Sequence, residues 1–161
     1  MYFLKKNQIV GVASGRAEFG PRALGNRSLL ADPRGKDVKD RVNEIKRRQK
    51  FRPFAPMILE EHVHDYFEMP VNQPTSRYMQ VVAKCKKPKL FPAIVHVDGT
   101  SRVQTVPIGA GGVRTLLLQW YNETGCPMLL NTSLNIRGEP MVDTRADADR
   151  FTQEYGVTVC S

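Results

Sequence analysis

The sequence predicts a mixed α/β fold in one domain, a twisted sheet flanked by helices. Three observations carry that prediction. Short apolar runs of strand length alternate with segments of helical period through much of the chain. Two helices are well marked, one by Val113, Leu116, Leu117, Trp120 and Tyr121 at helical spacing, the other by Thr144 as a cap. The 161 residues, 41% of them hydrophobic, suffice for one substantial core, and no repeat or interdomain linker divides them.

Taken in order, residues 8–13 (QIVGVA) read as a first short strand. They enter a block rich in arginine and glycine, where Pro21 fits the first turn of a short helix over PRALGNRSLL. Asp32-Pro33-Arg34-Gly35 reads as a turn, because the residue before a proline avoids the α region. A helix is predicted over 37–50, with Asp37 as N-cap and Val38, Val42 and Ile45 along its apolar side. Phe51-Arg52-Pro53-Phe54-Ala55-Pro56 holds too much proline for a helix and reads as an extended lead into Met57, Ile58 and Leu59. A short helix at 60–67 follows, then strands at 78–83, 94–97 and 102–106, with a turn at Asp98-Gly99. Gly109, Gly111 and Gly112 mark a flexible loop that lacks the strand–GxGxxG–helix setting of a dinucleotide fingerprint. The helix at 113–124 ends on Gly125. Residues 128–130 read as a buried strand, 144–155 as a helix and 157–160 as a last strand.

Composition narrows the function. Lys and Arg number 24 against 16 Asp and Glu, a net charge of +8 that favours anionic partners such as nucleotides, phosphorylated metabolites or nucleic acid. Cys85, Cys126 and Cys160 form no CxxC pair, so they read as reduced thiols rather than zinc ligands or a redox motif. His62, His64 and His96 have no carboxylate at ligand spacing, so no metal site is expected. No apolar run has bilayer-spanning length, and MYFLKKNQIVGV lacks the features of a signal peptide; the reading is cytoplasmic, without a membrane partner.

Four polar segments could carry chemistry. The first, GRAEFGPRALGNRSLLADPR over 15–34, has four arginines, three glycines and two prolines. Unpaired guanidinium groups are costly to bury, whereas their planar fork suits phosphate, so this block is expected to hold an anion and not to serve the core. In the second, Lys46 borders the inward side of its helix and Arg52 sits in a rigid Phe-Arg-Pro-Phe frame, while Arg47, Arg48 and Lys50 fall on the solvated face. In the third, HVDGTSRVQ, Arg102 is either half of a cross-strand ion pair or a ligand cation. In the fourth, Asn131 and Ser133 follow the apolar 128–130 strand, and either close an Asx/ST turn or present donors at a strand end. The lysines at 84, 86, 87 and 89 read as a solvated loop. No Ser-His-Asp grouping or paired-carboxylate pattern stands out, so any chemistry is electrostatic: cations neutralise phosphates at a preorganised centre.

In this order, GRAEFGPRALGNRSLLADPR, the NEIK…FRPFAP pair, HVDGTSRVQTV and TGCPMLLNTSLNIRGEPMVDT resemble the C-terminal domain of the O-carbamoyltransferases of nodulation and antibiotic tailoring. The resemblance implies a YrdC-like fold over residues 1–161. It also implies binding of ATP, with Mg2+ accompanying it, and of carbamoyl phosphate, and formation of a carbamoyl-adenylate with release of pyrophosphate. The partner it implies is an actin-like transfer domain or subunit that bears a metal ion and passes the carbamoyl group to a hydroxyl; that N-terminal domain is expected to be absent here. Carried over by residue, Lys46, Arg52 and Arg102 are the catalytic cations that hold carbamoyl and phosphate oxygens. Asn131 and Ser133 then hydrogen-bond the carbamoyl or adenylate portion, and Arg22 contacts phosphate, while Arg16, Arg27 and Arg34 brace the block. The competing reading is a non-catalytic nucleic-acid-binding or scaffold module, motivated by the basic 39–50 stretch. Its basic run lacks the interleaved aromatics of a stacking platform.

Overall fold

Strand pairing dominates the architecture. The computed structural model describes residues 1–6 and 9–161. Strands β1 (Val10–Ala13), β2 (Arg27–Ala31), β3 (Ala55–Leu59), β4 (Phe67–Glu68), β5 (Val81–Cys85), β6 (Thr100–Val106), β7 (Met128–Ser133) and β8 (Val159–Cys160) form one sheet in the order β4-β5-β6-β3-β7-β2-β1-β8. The β3–β6 and β1–β8 pairs are parallel and the remaining pairs antiparallel, so the sheet is mixed. Helices α1 (Tyr2–Lys5), α2 (Val38–Ile45), α3 (Val63–Tyr66), α4 (Gly112–Thr124) and α5 (Arg145–Tyr155) connect the strands, with 3-10 turns at Glu60–His62 and Pro88–Leu90. No helix among the described residues is long and apolar enough to cross a membrane.

Burial follows position in the sheet. All five residues of β2 and of β3 are buried, as strands flanked on both edges require, whereas β5 alternates with Val82 and Lys84 outward. The core gathers Leu29, Leu30, Met57, Ile58, Leu59, Leu117, Met128, Leu129 and Leu130. On α4 the buried Trp120 donates its indole Nε1 to the Met128 carbonyl at 3.1 Å, joining the helix to β7. Gly125 closes α4 in the left-handed region at φ 68°. A reciprocal capping box between Thr144 and Asp147 starts α5, as Thr144 predicts.

Several sequence expectations are corrected. The PRALGNRSLL segment is no helix: Gly25 takes φ 129°, and Arg27–Ala31 is a central strand whose backbone pairs with β1 and β7. Pairing on both edges outweighs the local helical signal. Helix α2 stops at Ile45, because Arg47 turns the chain at φ 50° and the Arg48 N–H returns to the Asn43 carbonyl at 3.0 Å. Residues 94–97 are not a strand; the Ile94 N–H closes a turn on the Phe91 carbonyl, and the Ile94 side chain plugs the core. Strand β5 starts at Val81 and runs to Cys85, after Met79 turns at φ 57°. Strand β7 continues through Ser133, so Asn131 and Ser133 lie within it and not beyond it. Helix α1, which buries Leu4, has no counterpart in the sequence reading, and Gln8 of the first predicted strand lies outside the described residues.

Candidate functional site

A polar stripe crosses one face of the sheet. Side chains two apart on a strand share a face, so Arg102 and Gln104 of β6 lie with Met57 of β3, which pairs with Gln104. On β7, Asn131 and Ser133 share that face, since the Asn131 Nδ2 donates to the Gln104 Oε1 at 2.7 Å and lies 3.9 Å from the Met57 sulfur. The same Nδ2 donates to the Ala23 carbonyl at 3.0 Å, and the Gln104 Nε2 donates to the Leu24 carbonyl at 2.9 Å. Two buried amides therefore pin the middle of the arginine-rich block onto the sheet. The Asn131 Oδ1 and the Ser28 Oγ are buried without a hydrogen-bond partner among the described residues.

The block itself divides in two. Its second half is core, contrary to the expectation that no core would use it: Arg27, Ser28, Leu29, Leu30, Ala31 and Asp32 are all buried. Arg27 is accommodated because its guanidinium donates to the carbonyls of Ser14, Gly15, Asn26 and Asp143. The first half is a loop held from within. The Glu18 Oε1 accepts from the Leu24 N–H at 2.9 Å and the Asn26 N–H at 2.6 Å. Arg34 braces the following turn through Asp32, at 2.7 Å.

At one end of the stripe a cleft of about 420 Å³ opens between the 46–52 turn and the 135–138 loop. Lys46, Arg48, Arg52 and Arg137 line it, with no carboxylate among its lining residues. Lys46 is 5% exposed, and its Nζ donates to the Ser133 carbonyl at 2.6 Å, the Ser133 Oγ at 3.2 Å, the Asn135 carbonyl at 2.8 Å and the Asn135 Oδ1 at 3.0 Å. Burial, then the neighbouring Arg48, push the Lys46 ammonium down to about 7, while the four oxygens around it favour keeping the proton. The Arg48 guanidinium falls to about 10, first through burial and then through repulsion from Arg52 and Arg102. Burial, followed by repulsion from Arg22, lowers Arg102 from the usual arginine range. Lys46, Arg48, Arg52, Arg102 and Arg22 thus form one chain of like charges.

The arginines that hold carboxylates all lie outside the cleft lining. Arg27, Arg34, Arg41, Arg77, Arg114 and Arg150 each have a carboxylate oxygen at 2.6–3.9 Å. Arg48, Arg52, Arg102 and Arg137 make no ion pair among the described residues. Cations gathered without counter-charges repel one another, and an anion that enters the cleft relieves that repulsion.

The structure therefore gathers Lys46 and Arg52 at the cleft, with Ser133 held against the Lys46 ammonium and Arg102 and then Arg22 extending the positive surface. Arg22 is exposed, and its Nη1 donates to the Pro21 carbonyl at 3.2 Å. Asn131 stands on the same face, but its amide is engaged by Ala23 and Gln104. Sequence reasoning missed Arg48, Asn135 and Arg137. Its sequence position puts Arg48 on the solvated face, yet it is half-buried with its guanidinium 4.3 Å over the Phe54 ring. The signal for it was Phe54, an aromatic within the rigid FRPFAP frame and close enough to stack on a cation. Arg47 and Lys50 do face outward, Arg47 against Tyr155 and Lys50 against Glu44.

A family model described as "Carbamoyltransferase C-terminus" matches residues 2–160. Nodulation protein NolNO of Sinorhizobium fredii is 46% identical over 144 residues, which cover 87% of this chain and 21% of that protein. Nodulation protein NolO of Bradyrhizobium diazoefficiens is 42% identical over 150 residues, 91% of this chain and 27% of that protein. The 3'-hydroxymethylcephem-O-carbamoyltransferase of Amycolatopsis lactamdurans is 37% identical over 156 residues, 96% of this chain and 29% of that protein. The chain thus spans under a third of the length of each. A crystal structure of full-length HypF in the phosphate- and nucleotide-bound form matches with a TM-score of 0.68 and 21% identity, over 96% of this chain and 19% of that one. The likeness to HypF is one of fold, and it agrees with the YrdC-like mixed sheet expected above.

Proposed function

We propose, from the premise that this chain belongs to the Carbamoyltransferase C-terminus family, that its cleft takes carbamoyl phosphate and ATP and forms a carbamoyl-adenylate. The observation that carries the reading is the run of cations at and beside the cleft, Lys46, Arg48, Arg52, Arg102 and Arg22, with no carboxylate among the cleft's lining residues. Two polyanions must approach each other for this reaction, and clustered cations lower the cost of bringing them together. The HypF likeness lends support, because that protein is described with phosphate and nucleotide bound.

The balance of the reaction is carbamoyl phosphate, ATP and water to carbamoyl-adenylate, pyrophosphate and inorganic phosphate. The carbamoyl group leaves its own phosphate, a carbamate oxygen attacks the α-phosphorus of ATP, and the bond to the β-phosphate oxygen breaks. Arg52 and Arg102 hold phosphate oxygens through paired N–H donors, and Lys46 adds a buried charge beside them. Ser133, already placed against Lys46, hydrogen-bonds the carbamoyl or adenylate portion. The Asn131 Oδ1, an acceptor buried without a partner among the described residues, suits a carbamoyl N–H2 donor. Mg2+ that accompanies ATP would be held by the phosphate oxygens and would neutralise part of their charge. No group of three or more His, Cys, Asp or Glu suited to a metal ion occurs among the described residues.

Transfer to a hydroxyl belongs, on this reading, to a separate domain or subunit. A hydroxyl acceptor fits the relative from Amycolatopsis lactamdurans, which is described as an O-carbamoyltransferase. The reading is tested by calorimetric titration of the folded chain with ATP and with carbamoyl phosphate. Binding of both, weakened by Arg52→Ala, is expected; no heat at millimolar ATP contradicts it.

A further inference from the structure

Residues 14–26 join two antiparallel strands whose last register pair is Ala13 with Arg27. Such a connection needs only about two to five residues, and much longer loops in compact domains are mostly functional. This one folds back over the sheet, from β2 past β7 and β3, and reaches β6 at Gln104. It covers the middle of the polar stripe, where Asn131 is 1% and Gln104 3% exposed, and its own Ala23 is buried to 3%. Where the cover ends the same face opens, and Arg102, two residues from Gln104, is exposed.

The loop is bonded mainly to itself. The Glu18 Oε1 takes the N–H groups of Leu24 and Asn26, and the Asn26 Nδ2 donates to the Arg16 carbonyl at 2.9 Å. Among the described residues, two hydrogen bonds join residues 16–24 to the sheet: Asn131 to the Ala23 carbonyl and Gln104 to the Leu24 carbonyl. The closed position also carries a cost. Among the described residues, the buried side-chain N and O atoms without a hydrogen-bond partner are the Glu18 Oε2, Arg27 Nε, Ser28 Oγ and Asn131 Oδ1. Glu18 is in the loop, Arg27 and Ser28 follow its base, and Asn131 lies beneath it. Unpaired polar atoms kept from water destabilise the state that buries them. In this position the exposed Arg22 of the loop also repels Arg102, and neither has an ion-pair partner among the described residues.

We propose that residues 16–24 are a flap that lifts from the sheet to uncover Asn131, that Gln104 is its latch, and that an anion held between Arg22 and Arg102 shuts it. Only the shutting rests on the reading that the cleft takes phosphate-bearing ligands. The bonds within the loop move with it, so lifting breaks two bonds to the sheet and gives the Asn131 Oδ1 access to water or to a ligand donor. A phosphate oxyanion between the two guanidinium groups replaces their repulsion by attraction on both sides, which favours the closed flap.

The test is thiol labelling of the full chain carrying Ala23→Cys and Cys160→Ala. The introduced thiol then sits under the closed flap, the exposed native thiol is gone, and Cys85 and Cys126 are buried. Labelling is expected to be slow and to depend only weakly on urea, because lifting exposes little surface. Gln104→Met keeps the bulk of the side chain without its amide, and should speed labelling roughly tenfold, the worth of one buried hydrogen bond. Inorganic pyrophosphate at about ten times its dissociation constant should slow labelling by up to about tenfold, and Arg22→Ala should abolish that effect. Labelling with the full urea dependence of global unfolding, or an unchanged rate in Gln104→Met, overturns the flap. Pyrophosphate that binds and leaves the rate unchanged overturns closure by anions. No pyrophosphate binding, with Gln104→Met still faster, removes the parent reading and keeps the flap. If Ala23→Cys fails to fold, tryptic cleavage of the Arg22–Ala23 bond in the native chain decides, and an equal rate in Gln104→Met overturns the proposal.

Discussion

The charge on Lys46 should make anion affinity depend on pH near neutrality, where a surface lysine-rich site shows no such dependence. A free lysine titrates near pH ~10.4 and so stays charged throughout the physiological range. Burial and Arg48 bring Lys46 down to about 7. Roughly ten in eleven molecules then carry the charge one pH unit below that value, and roughly one in eleven one unit above it. Sulfate suits the assay because it stays a dianion from pH 6 to 9, whereas phosphate and ATP titrate in that range. The sulfate association constant should fall about tenfold per pH unit above 7, and Lys46→Met should bind weakly with little pH dependence. The same shift has a stability consequence of definite sign. The folded pKa lies below the unfolded one, so the unfolded chain binds more protons between pH 7 and pH ~10, and stability rises with pH across that window. The slope is at most about 1.4 kcal/mol per pH unit, and it should vanish in Lys46→Met. Sulfate affinity that stays flat from pH 6 to 9 in the wild type would refute the argument; it would mean that the Ser133 and Asn135 oxygens hold the proton against burial.

Three further outcomes are expected. Arg102→Ala removes an exposed guanidinium from β6 and should weaken carbamoyl phosphate or ATP by about 1.5–3 kcal/mol with the melting temperature unchanged; equal affinity for both removes Arg102 from the site. In Gly25→Ala the new methyl would lie 2.6 Å from the Val113 Cγ2 at φ 129°, so urea unfolding should show a loss of roughly 2–4 kcal/mol, and an unchanged midpoint contradicts the tight contact between block and α4. Asn131→Ala releases the Ala23 carbonyl and the Gln104 amide, which should cost about 1–3 kcal/mol and speed limited proteolysis within residues 14–26. Cleavage at the wild-type rate speaks against the clamp.

What was legible in the sequence was local. Helices α4 and α5 carried their own start and stop signals in Gly125, Thr144 and a helical apolar spacing, and they fall where those signals put them. Strand β3 follows from FRPFAP because proline forbids the helical alternative. The failures share a cause in partners distant along the chain. Pro21 suggests a helix start for PRALGNRSLL, but β1 and β7 bond to residues 27–31 on both edges. Arg48 falls on the polar side of an extrapolated helix, yet the helix ends early and Asn43 takes the carbonyls of Lys50 and Arg52. The oxygen cage of Lys46 is supplied by Ser133 and Asn135, more than eighty residues further along the chain, so its burial could be suspected from Ile45 but its neighbours could not. For Asn131 the sequence identified the residue and left its engagement with the arginine block unseen.

The central claim is that this cleft joins a carbamoyl group to the α-phosphate of ATP, and isotope exchange reads that step without needing an acceptor. Folded chain is incubated with ATP, labelled pyrophosphate and carbamoyl phosphate. Label is expected to enter ATP only when carbamoyl phosphate is present, and Arg52→Ala is expected to abolish the exchange. A folded chain that binds no ATP at millimolar concentration, or that binds it and exchanges no label, contradicts the claim.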